Sequence, residues 1–136
     1  MNPIIRNILS VIAGLVLGNI VNMSIVMIGP SLIPPPDGTD MTTVEGLKAA
    51  LPLLKPQHYI MPLLAHGLGT LAGAFLTAKL AISHHKTLAL VIGIFFLIGG
   101  IAASMMIPAP TLFIVLDLAV AYLPMAYLGF LLARKK

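Results

Sequence analysis

The sequence predicts an all-α membrane protein: a four-transmembrane-helix up-down bundle with a short amphipathic helix in the first extracytoplasmic loop. Three observations carry this. Charged residues make up only 9% of the chain, against 59% hydrophobic, and mean hydropathy is +1.05. A soluble domain carries about 25% charged residues. The apolar residues gather into four runs, each long enough to cross the hydrocarbon core of a bilayer. The basic residues stand near the ends of those runs, where they orient a protein in the membrane.

The 136 residues are read as one integral membrane domain, 1–136. The net charge of +4 lies at span ends, so it is a topology signal and no nucleic-acid partner is expected. Cysteine is absent, which excludes disulfides, thiolate metal sites and cysteine nucleophiles. The first run is too long for a signal-peptide core and lacks a clear small-x-small cleavage site, so it is read as a retained helix.

The first span covers about residues 4–28. Gly14 and Gly18 form a GxxxG pair, a face for close helix packing. Asn19 and Asn22 follow at a spacing of three, on one side of the helix. Gly29-Pro30 is expected to end the span, and Pro34-Pro35-Pro36 to force extended chain.

The outer loop, 30–58, holds Asp37, Asp40 and Glu45, three of the four acidic residues. Thr42-Thr43-Val44-Glu45 matches a capping box. The stripe Val44, Leu47, Leu51 and Leu54 predicts a short amphipathic helix after it, lying on the membrane surface or over the bundle mouth. Pro52 limits its regular part. His58 and the loop acids lack the spacing of a metal site, so neither metal nor cofactor is expected.

The second span, 59–81, carries His66 deep in its apolar stretch, with Ala65, Gly69 and Gly73 four residues apart on one face. A histidine at that depth must face protein or water, because lipid offers it no partner. Ser83-His84-His85-Lys86 reads as a tight solvated turn. The third span, 87–107, has small residues at Ala89, Gly93, Gly100 and Ala103. Pro108-Ala109-Pro110 turns the chain into the fourth span, 111–133, which contains Asp117 and Pro124. The proline removes the partner of the Val120 carbonyl and is expected to kink the helix.

Orientation follows from charge. Arg6, Lys79, Lys86 and the cluster Arg134-Lys135-Lys136 mark one side, and the acidic loop marks the other. The positive-inside rule places both termini in the cytoplasm.

Depth then aligns the polar residues. Asn22, His66 and Asp117 each lie six or seven residues from the outer end of their span, roughly 9–11 Å at 1.5 Å per residue. Ser104 is slightly shallower, Asn19 one turn deeper, and Thr70 one turn below His66. A polar layer in the outer half of the bundle is therefore expected, with His66 and Asp117 in contact, sharing a proton, and Asn22 bridging them. An intramembrane acid costs about 2.5–3.5 kcal/mol even on the gentler insertion scale, which makes Asp117 a functional candidate. Asparagine and serine in such places also serve simply to join helices.

The run PLLAHGLGTLAGAF, the PAP turn and the span FIVLDLAVAYLPMAYLG resemble small uncharacterised four-span bacterial membrane proteins. That resemblance implies a bacterial inner-membrane location and brings no activity or site residues with it.

The polar layer points first to a small binding or transport-type protein that takes a proton, or the head of a small amphiphile, from the outer side. His66 and Asp117 would carry this, and Asn19 and Asn22 would orient them. The second reading is a structural or accessory subunit whose small-residue faces dock a second copy or another membrane protein. An enzyme using His66 and Asp117 as acid and base ranks last, because no nucleophile or metal set accompanies them.

Overall fold

The computed structural model describes residues 1–134; the expected contribution of Lys135 and Lys136 to the basic cluster lies outside the described residues. Six α-helices follow in order: α1 (Pro3–Leu32), α2 (Val44–Ala50), α3 (Ile60–Leu80), α4 (His85–Met106), α5 (Thr111–Val120) and α6 (Leu123–Ala133). There is no strand among the described residues. Four segments are long and apolar enough to cross a membrane: Pro3–Leu32, Pro56–Leu80, His85–Met106 and Thr111–Ala133. Large apolar side chains such as Ile4, Met27, Ile98 and Leu112 point outward along them, the pattern of a multi-pass membrane protein.

The first helix is longer than expected. It continues through Pro30 to Leu32, and Ile33 closes it by donating its N–H to the Gly29 carbonyl at 2.8 Å. A proline in the last turn removes one amide, that directed at Val26, while the turn is still held from both ends. The helix stops where Pro34 forces the preceding residue out of the helical region, with Ile33 at φ −129° and ψ 87°.

In the connection, Thr43 rather than Thr42 caps α2, its hydroxyl accepting from the Gly46 N–H at 3.0 Å. Thr42 is drawn away by Asp40, donating to the same carboxylate oxygen from its hydroxyl at 2.6 Å and its amide at 2.8 Å. The reciprocal box expected between Thr42 and Glu45 therefore does not form. Pro52 falls in a 3-10 turn, Leu51–Leu53, that ends the regular helix.

The expected turn of residues 83–86 falls at 81–84 instead. His84 takes the left-handed conformation at φ 54°, and α4 begins at His85. The His85 ring is not simply solvated. Its Nδ1 lies 2.9 Å from the Ala78 carbonyl, fastening the start of α4 to the end of α3.

The molecule is arranged around α3, which touches α1, α4 and α6 extensively. The α1–α3 contact is backbone on backbone. A methyl placed on Gly73 would lie 2.6 Å from the Gly14 carbonyl oxygen, and one on Gly69 would lie 2.8 Å from that of Gly18. Glycine is required there because nothing larger lets the two backbones approach. Gly93 plays the same part on α4, where a methyl would meet Ala126 at 2.7 Å. Residue numbers fall along α3 as they rise along α1, from Ser10 beside Thr77 to Gly29 beside Met61.

The fourth span is broken. Ala121 and Tyr122 form a turn between α5 and α6, with Tyr122 at φ −113° and ψ −79°. Pro124 has no N–H to offer the Val120 carbonyl, so the regular ladder fails there. The consequence is uneven packing: α6 lies closely on α3 and α4, whereas α5 touches its neighbours sparsely.

Candidate functional site

Three side chains meet where the fourth span breaks. His66, from the second turn of α3, brings Nδ1 to 2.8 Å from Asp117 Oδ1. The Tyr122 hydroxyl donates to Asp117 Oδ2 at 2.9 Å. Each carboxylate oxygen thus has one partner. The Tyr122 ring also stacks on the imidazole, with centroids 5.9 Å apart and planes at 26°. Asp117 is 5% exposed, whereas the His66 side chain is 29% exposed. The acid is enclosed and the histidine is reachable.

Tyr122 was not among the residues that sequence reasoning selected. In an unbroken helix, a residue five positions on lies about 140° around the axis from Asp117, on a different face. The turn at Ala121–Tyr122 alters that angle and sends the hydroxyl back. Gly100 makes the room: a methyl there would fall 2.6 Å from the tyrosine ring. Gly100 was expected to pack helix on helix, and it packs against this ring instead.

His66 borders two hollows. The outer cavity, about 320 Å³, lies among the ends of α1, α3, α4 and α5 and beneath the 33–59 connection. Its wall is mostly apolar. Leu47, Leu51 and Leu54 of the expected amphipathic stripe face into it, together with Tyr59 and Phe113, whose rings sit 4.9 Å apart. His66, Asp117 and Ser104 contribute polar atoms. The second cavity, about 150 Å³, lies between α1 and α4, where those helices barely touch, and is bounded by Asn19, Asn22, His66, Thr70 and Tyr122.

The remaining expected residues are distributed between these hollows. Asn22 does not bridge His66 and Asp117. It lies on the α1 side of His66 while Asp117 lies on the α5 side, and its Oδ1 is buried without a hydrogen-bond partner among the described residues. Matched depth brought them to one level, but direction around each helix separates them. Asn19 is exposed and donates to the Leu15 carbonyl of its own helix at 2.9 Å. Ser104 and Thr70 likewise bond within their own helices, to Ile101 at 2.7 Å and to His66 at 2.8 Å.

Two further polar contacts were not expected from the sequence. His58 receives the Lys55 N–H on Nδ1 at 2.8 Å, and its Nε2 lies 3.1 Å from the Pro34 carbonyl, which ties the two ends of the connection together over the outer cavity. At the opposite end of the bundle, Thr77 donates to the Ser10 carbonyl at 3.1 Å. Comparison with family models, with curated proteins and with solved structures gave no match for this chain.

Proposed function

We propose that this chain is a four-span membrane protein, running up-down-up-down, that binds a small amphiphile in its outer cavity, with the polar head at the His66–Asp117–Tyr122 cluster. The observation that carries this reading is the union of the two features: a mostly apolar hollow of about 320 Å³ with a reachable imidazole backed by a buried carboxylate at its deep end. Ligand sites share this make-up, apolar walls with a few convergent polar groups, at about 300–1,000 Å³. A site built only to join helices would be filled and fully paired.

The proposed location is a bacterial inner membrane with both termini cytoplasmic. Arg6, Lys79, Lys86 and Arg134 support this, because they gather at one end: Arg6 donates to the Leu80 carbonyl at 3.1 Å, and Lys86 lies over the Tyr127 ring at 5.3 Å. The amphipathic segment Val44–Leu54 would then cover the outer mouth, with its leucines toward the cavity. The alternative, an accessory subunit docking through small-residue faces, draws less support, since Gly14, Gly18, Gly69, Gly73 and Gly93 are already occupied by contacts within the chain.

The test is thermal stabilisation of the purified protein by 1-octanol. Saturable stabilisation is expected, and it should disappear in Ala103→Phe, where the added ring fills the space between the two cavities. Octanol that leaves both proteins unchanged would refute the binding reading.

A further inference from the structure

We propose that the head group accepted here is a primary ammonium, and that it occupies the site in exchange for a proton on His66. This rests on the amphiphile reading above and specifies its chemistry. Three observations carry it.

The first is an unused acceptor. Among the described residues, His66 is hydrogen-bonded through Nδ1 alone, and Asn22 Oδ1 is buried with no partner. Both residues border the second cavity. A neutral imidazole whose proton sits on Nδ1, toward Asp117, presents a lone pair at Nε2. A ligand group that donates a hydrogen bond satisfies that lone pair, whereas a carboxylate does not.

The second is charge. Asp117 accepts at both oxygens, from Tyr122 and His66. With one proton on the imidazole, the cluster carries a net negative charge in a low-dielectric site. That charge is costly unless a positive group accompanies it. A second proton, at Nε2, neutralises the cluster, and so does an ammonium placed against Nε2. The two cannot be present together, because each needs the same lone pair.

The third is the absence of any competing cation. Among the described residues, no lysine or arginine borders either cavity. An anionic head would find nothing to pair with. The second cavity instead offers Phe96 and Tyr122, and aromatic faces attract ammonium groups. His66, Gly100 and Ala103 belong to both walls, so a head in the smaller hollow can carry its chain into the larger one. The titratable groups facing His66 are Asp117 and Tyr122, while α1 and α4 present only neutral Asn19, Asn22 and Ser104. His58 and Tyr59 lie further along the outer cavity.

The experiment is calorimetric titration of the full chain in phosphatidylcholine nanodiscs with hexylammonium, 1-hexanol and hexanoate, from about pH 5 to about pH 8. Hexylammonium should bind about tenfold tighter than hexanol, the difference a charged hydrogen bond makes, and hexanoate weakest. Its affinity should fall as the medium becomes more acidic. His66→Gln should flatten that dependence. Hexanol or hexanoate binding as tightly as hexylammonium, or an ammonium affinity indifferent to pH in the unaltered protein, overturns the head-group inference while leaving the cavity reading intact. Failure of all three probes to bind overturns both.

Discussion

Two asparagines on the same helix divide the molecule. Asn7 uses its whole amide: Nδ2 donates to Ser83 at 3.0 Å, and Oδ1 accepts from the Ile82 N–H at 3.0 Å. Asn22, four turns along α1, leaves its oxygen buried and unpaired beside a hollow. The half around Asn7 is closed by glycine contacts, the Ser10–Thr77 bond and the short turn after α3. The half around Asn22 is open because α5 stands away from its neighbours and α1 parts from α4. In a bilayer, where lipid solvates apolar side chains as well as protein does, helices hold together by close packing and hydrogen bonds. The closed half supplies that adhesion and lets the other half remain hollow.

If that division is right, equal insults to the two halves should have unequal effects. Gly73→Ala should be the most damaging single change, costing about 3 kcal/mol, because its methyl would lie 2.6 Å from the Gly14 carbonyl oxygen. Gly99→Ala, which has nothing within 4 Å, should stay within about 0.5 kcal/mol. Thermal unfolding in detergent measures both, and similar losses would erase the distinction.

The polar cluster gives the next effect. His66→Gln should destabilise by about 3 kcal/mol, since it strands the buried Asp117, and Asp117→Asn should cost less, since the His66 side chain is partly exposed. The double variant should lose clearly less than the sum, and additivity would mean the pair does not interact. Tyr122→Phe should cost about 1–2 kcal/mol by removing one donor to a charged oxygen.

The proposed orientation sets the closed and open ends on opposite sides of the membrane. The chain lacks cysteine, so Asp40→Cys and Lys86→Cys each introduce a single reactive site. An impermeant thiol reagent applied from outside should label the first and spare the second. Labelling of both, or of Lys86→Cys alone, would overturn the orientation.

The smallest effect lies in the connection. Hydrogen bonds from the Thr42 hydroxyl, the Thr42 amide and the Thr43 hydroxyl hold Asp40 below its ordinary value of 3.8. A carboxylate depressed in this way adds order above its ordinary value and loses it as the pH falls through the lower, folded one. Hydrogen exchange at the Thr42 amide should therefore show protection above about pH 4 that fades in stronger acid. Asp40→Asn should show weak protection at every pH.

Much of this was legible in the residues. Hydropathy marked four spans, and small residues at four-residue spacing marked the α1–α3 seam. Equal depth brought His66 and Asp117 to one level, because rise per residue is nearly constant in a helix. Direction was harder. Asn22 shares that depth yet lies across His66 from Asp117, and no spacing within one helix reports how it is rotated against another. Tyr122 was hidden because its contact depends on broken helical geometry. Pro124 signalled a kink, but which side chain the kink would redirect follows only from the resulting turn. The continuation of α1 through Pro30 was missed for a related reason: a proline in a final turn removes a single bond, and the neighbouring contact of Gly29 with Met61 holds the end in place.

Tryptophan is also absent from the chain, which permits a direct comparison of the two halves with one reporter in each. Phe113→Trp places an indole in the wall of the outer cavity, and Leu15→Trp places one against the closed core. Both are titrated in nanodiscs with the quencher 6-bromohexanol. The Phe113→Trp signal should fall along a saturating curve, as a bound bromine reaches the indole, while Leu15→Trp should decline only in proportion to quencher in the lipid. Matching, unsaturated slopes at both positions would contradict the claim that the open half is a binding site.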